Sequence, residues 1–105
     1  MARYLIQSAA SHRIDEIYQY TLSQWGVAQA DNYIIGMFDT FSKIETHEVL
    51  SRSIPADFGV DGFFCRYEKH FIYWRYLSSG DIGIVTILRE RMHQVGRLKE
   101  DFGTL

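Results

Sequence analysis

The sequence predicts an α+β fold of order β-α-α-β-β-β. A helical hairpin packs on one face of a small, mostly antiparallel sheet, and a short C-terminal helix or tail follows. Two long runs in the first half place apolar residues at steps of three and four, the helical period. Three runs in the second half, "FFCRY", "HFIYWRYL" and "IGIVTILR", carry strand patterning and are parted by short turn sequences. Length sets the layout: 105 residues, 47% hydrophobic and with one proline, suit one core, so residues 1–105 are expected to form a single domain.

"RYLIQS" (3–8) reads as a short opening strand. From Ala9 the period changes, and Ala10, Ile14, Ile17, Tyr18, Thr21 and Trp25 form one helical stripe. Ser8 is placed to cap this helix, and Gly26 suits the residue that ends it. A second helix is expected over residues 27–44, with Ala30, Ile34, Met37, Phe41 and Ile44 on one face. Trp25 then closes the hairpin as a core residue. Residues 45–62 lose the helical pattern, and Pro55, Gly59 and Gly62 mark an irregular connection. Strands follow at 63–67, 70–77 and 82–89, joined by the turns "EK" and "SSGD".

Alternation sorts the middle strand into two faces. Ile72, Trp74 and Tyr76 lie on one, which the helical hairpin covers. Phe71, Tyr73, Arg75 and Leu77 lie on the other. A two-residue turn at Ser79-Gly80 pairs Phe71 with Leu88, Tyr73 with Thr86, Trp74 with Val85 and Arg75 with Ile84. Ile84 and Leu88 then join the second face, which the two long helices cannot reach. Either the tail and the 45–62 connection fold over it, or a partner polypeptide does. The polar tail "ERMHQVGRLKED" offers only Met92, Val95 and Leu98, which favours a partner on Phe71, Tyr73, Arg75, Leu77, Ile84 and Leu88. An uncovered face of that size would make the isolated chain self-associate.

Charge and cysteine use narrow the function. The net charge is −2, with three basic and six acidic side chains in residues 1–51 against eight and seven in the remainder. An anion site therefore belongs to the second half and is local, which argues against direct nucleic-acid binding. One cysteine, Cys65, excludes an internal disulfide and reads as a buried packing residue. The four histidines lie in separate segments without ligand spacing, so neither a metal nor another cofactor is expected. His70 reads as a hydrogen-bonding residue at a strand start. No signal-peptide core or membrane span is visible, which points to the cytoplasm.

Taken in order, "A-x-x-x-I-D-E-I-Y-Q-Y-T-x-x-x-W-G-x-x-x-A-x-x-Y" (10–33), "KHFIYWRY" (69–76) and "IVTILRERM" (84–92) resemble the ParE toxins of the RelE/ParE superfamily. The resemblance implies a β-α-α-β-β-β fold, a ParD-like antitoxin in a hetero-oligomer with the toxin, and inhibition of DNA gyrase. The family has no agreed residue-level motif for the target. Arg89, Arg91 and Met92 at the end of the last strand are expected to meet it, with an antitoxin carboxylate or water alone as the other readings of the two arginines. The chain departs from the family pattern at Arg13, usually acidic, at Thr46-His47, commonly Asn-Pro, at Arg89, often histidine, and at His93, commonly aspartate. Two alternatives stay open. The superfamily also holds ribosome-dependent mRNA endoribonucleases, for which Arg66, Arg89 and Arg91 would be the cations and His93, Tyr73 or Glu90 the proton carriers. A member that binds an antitoxin but poisons nothing is the other.

Overall fold

The computed structural model describes residues 4–90 and 94–103. Strand β1 (Tyr4–Ile6) leads into helix α1 (Ser8–Trp25), and helix α2 (Val27–Glu45) returns beside it. Strands β2 (Arg52–Ser53), β3 (Phe63–Tyr67), β4 (His70–Tyr76) and β5 (Ile82–Arg89) follow, and helix α3 (Gln94–Gly103) ends the described chain. The sheet runs β1-β5-β4-β3-β2, with β1 parallel to β5 and every other pair antiparallel.

Both long helices start and stop close to where the sequence places them. Gly26 joins them at φ +90°, a left-handed backbone that favours glycine, and its amide donates to the Leu22 carbonyl. Ser8 is the first helical residue rather than the cap; Gln7 takes the cap position without a side-chain hydrogen bond. The hairpin rests on the sheet through Ala10, Ile14, Met37, Phe41 and Ile44, which pack with Cys65, Ile72, Trp74 and Ile87. Gly36 lets Tyr67 approach α2 closely, since a Cβ there would collide with the Tyr67 hydroxyl at 2.2 Å. That hydroxyl donates to the Tyr33 carbonyl at 2.9 Å.

Three features of the sheet depart from the sequence reading. The 45–62 connection contains β2, which pairs Arg52 with Phe64 and Ser53 with Phe63, and a 3-10 turn at Ala56–Phe58. Leu77 lies beyond β4; its amide donates to the Asp81 carbonyl and closes the turn. The β4–β5 register slips by one between Tyr73 and Trp74, so Trp74 pairs with Ile84 and Arg75 with Gly83. The register up to that point is the expected one, with Phe71 opposite Leu88 and Tyr73 opposite Thr86. A slip of one residue exchanges faces. Ile84 and Ile82 therefore sit in the core under the helical hairpin, and Val85 turns to the other side.

The second face has its own cover. Leu98 and Phe102 of α3 pack with Tyr73, Val85, Leu88 and Ile54, while Phe58, Val60, Phe64 and Phe71 border them. Of the two covers the sequence allowed, the tail and the 45–62 connection supply this one, against the partner that the polar tail favoured, and self-association no longer follows from an open face. Leu98 and Phe102 are one helical turn apart, and Phe102 lies just past the polar stretch "ERMHQVGRLKED". The Tyr73 hydroxyl reaches the Gln94 side chain, whose amide donates to the Arg89 carbonyl at 3.0 Å, tying the start of α3 to β5. Near its other end Asp101 accepts from the buried Arg13 of α1 at 3.2 Å. Arg13, where the family usually carries an acid, is thus the clasp between α1 and α3.

Candidate functional site

Two regions concern function: the face under α3 and a cleft at the closed end of the hairpin. On the first, Tyr73 and Leu88 are buried inside the chain, and burial pushes the Tyr73 phenol up to about 12. Ile84 is buried against the opposite face. Phe71, Arg75 and Leu77 keep partial exposure. The Arg75 guanidinium lies 5.4 Å from the centroid of the Phe102 ring, a cation-π contact. Of the six residues assigned to a partner, three remain within reach of one.

The second region is a cleft of about 670 Å³ between α1, the start of α2, the β3–β4 turn and the end of β5. It is lined by Ile17, Tyr20, Thr21 and Trp25 of α1 and by Lys69, His70, Ile87 and Arg89 of the turn and strands. Trp25 is 66% exposed and Tyr20 54%, so Trp25 is not the core residue its hydrophobicity suggested. Trp25 is the last residue of α1, and Gly26 follows it. The Arg89 guanidinium stands 5.6 Å from the Tyr20 ring centroid.

His70 behaves as its position suggested. Its Nδ1 lies 2.6 Å from the Tyr33 hydroxyl. The direction of this hydrogen bond follows the imidazole tautomer. Burial, reinforced by the neighbouring Arg89, lowers the imidazole pKa from 6.5 to about 4. The unfolded chain therefore takes up a proton before the folded chain does. Stability is full above about pH 6.5 and falls as pH drops toward about 4, by on the order of 2 kcal/mol once partial solvent access is allowed for. Urea midpoints measured across this window should fall less steeply for His70→Gln than for the unaltered chain.

The remaining candidates are dispersed or engaged. Arg66 is paired with Glu90 at 2.7 Å and also donates to the Glu68 carbonyl. Cys65 is buried, and burial raises its thiol to about 11, far from a reactive thiolate. Arg91, Met92 and His93 lie outside the described residues. Among the described residues no helix is long and apolar enough to cross a membrane.

A helical hairpin on a five-stranded sheet in this order, with these residues at its edges, is the architecture of a RelE/ParE-type toxin. Residues 4–94 match the family model described as "ParE toxin of type II toxin-antitoxin system, parDE", and the chain belongs to that family. It is similar to Toxin ParE1 of Mycobacterium tuberculosis, in strains CDC 1551 / Oshkosh and H37Rv alike. In each, 27% of 96 residues are identical, over 87% of this chain and 92% of the relative.

Proposed function

We propose that this chain is the toxin of a bacterial type II toxin–antitoxin pair, that it inhibits DNA gyrase by binding it in the cytoplasm, and that a ParD-like antitoxin neutralises it in a hetero-oligomer. The observation that carries binding over catalysis is the state of the proton carriers. Of the three candidates, Tyr73 is buried with its phenol near 12 and Glu90 is held by Arg66, while His93 lies outside the described residues; His70, the histidine of the cleft, is neutral and hydrogen-bonded to Tyr33. An RNA-cleaving site needs an acid and a base that are reachable and tuned near neutral pH. The negative net charge supports the same reading, because work on a ribosome favours a strongly basic protein.

The antitoxin rests on the accessible part of the second face, with apolar side chains on Phe71 and Leu77 and a carboxylate on Arg75. The target meets the end of β5, at Arg89 and the Arg91-Met92 pair that follows. Pulse labelling after induction tests the choice of target. Incorporation of a DNA precursor should fall before incorporation of amino acids. The reverse order would favour the ribonuclease reading.

A further inference from the structure

The cleft at the closed end of the hairpin has a composition that the family match does not account for. Two exposed rings, Tyr20 and Trp25, share the cleft with two cations, Lys69 and Arg89, the latter over the Tyr20 ring, and with the apolar Ile17 and Ile87. Among the described residues neither Lys69 nor Arg89 takes part in an ion pair, whereas Arg13, Lys43 and Arg66 all do. Tryptophan, tyrosine and arginine are the residues that dominate the energy of protein interfaces. Here all three converge on one concave surface. Leaving such rings in water forgoes roughly 1.5–3 kcal/mol for each large side chain that could be buried.

We propose that this cleft docks an acidic segment of a partner protein, with an apolar side chain between Tyr20 and Trp25 and carboxylates on Arg89 and Lys69. The inference rests on the reading of the chain as a toxin that acts by binding, and it assigns the cleft to the poisoned target. Charge selects a polypeptide over a nucleic acid. Two cations without an ion pair suit one or two spaced carboxylates, whereas Glu16 and Glu68, which also line the cleft, break up any continuous positive track for a phosphate chain. His70 is neutral and Arg13 is paired with Glu16 and Asp101, so Arg89 and Lys69 are the cations left for an incoming acid.

Trp25 makes the test local, because the other tryptophan, Trp74, is buried at 3% exposure. The purified chain is titrated with a short peptide alternating leucine and glutamate, and separately with an oligouridine of matched charge. The peptide should shift Trp25 emission. Arg89→Glu or Lys69→Glu should weaken that binding at least about tenfold, with the far-ultraviolet circular dichroism spectrum unchanged. In cells the same two substitutions should relieve growth arrest while the variants still capture the antitoxin. No emission shift with the peptide, an equal or larger shift with the RNA, or undiminished growth arrest by both variants would each overturn the proposal. Growth arrest by the unaltered chain without inhibition of gyrase would instead remove gyrase as the target and leave the cleft to be judged on its own titration.

Discussion

Asp101→Leu is expected to destabilise the chain by about 3–4 kcal/mol, because it strands the Arg13 guanidinium in a largely buried position. Asp101 and Arg13 stand 88 positions apart in the sequence and meet at 3.2 Å with both side chains nearly inaccessible. The half-exposed Glu16, 3.4 Å from the other terminal nitrogen, offsets only part of the loss. The paired substitution Arg13→Met with Asp101→Leu removes both charges, and most of the stability should return. A double-mutant cycle in urea measures the coupling directly. Additive costs for the two single changes would mean that the clasp contributes nothing as a pair.

Leu98→Ala carries an effect of similar size by another route. Leu98 is fully buried between α3 and the strands, so truncation removes apolar contact and leaves a cavity. The expected cost is about 3 kcal/mol, within the range for buried leucine truncations. Because α3 is 10 residues long and too short to be stable alone, the loss should also loosen its hold on Tyr73, Val85 and Leu88. A dye that reports exposed apolar surface should then bind the variant and not the parent chain. Equal dye binding by both would show that α3 does not shield this face in solution.

These two sites also mark the limit of sequence reading. Strands β3, β4 and β5 were legible because β-branched and aromatic runs end at "EK" and "SSGD". The helices were legible because Ala10, Ile14, Met37 and Phe41 keep the helical period. The bulge was not. In "IGIVTILR" both parities of the strand carry apolar residues, since both faces are covered, so no pattern shows that Val85 is the extra residue. Two residues, Arg52-Ser53, are too few to alternate, and β2 exists only because β3 offers it an edge.

The candidate site followed the same physics. His70 and Cys65 were legible because a strand start and a strand interior dictate their surroundings. The fate of Arg13 depended on a partner far away in the chain, for which no local signal exists. Trp25 misled for the opposite reason. Its apolar ring fits the stripe, but the helix ends at Gly26 and the ring is left exposed. The cleft it lines is made from four segments, and only the fold brings them together.

Supercoiling of relaxed plasmid by purified DNA gyrase, with the chain added alone or together with its antitoxin, is the deciding measurement. A toxin that acts by binding gyrase should stop supercoiling when added alone, and the antitoxin should restore it. The same preparation should leave ribosome-bound mRNA uncut. Supercoiling that proceeds unchanged, together with cleaved mRNA, would contradict this function.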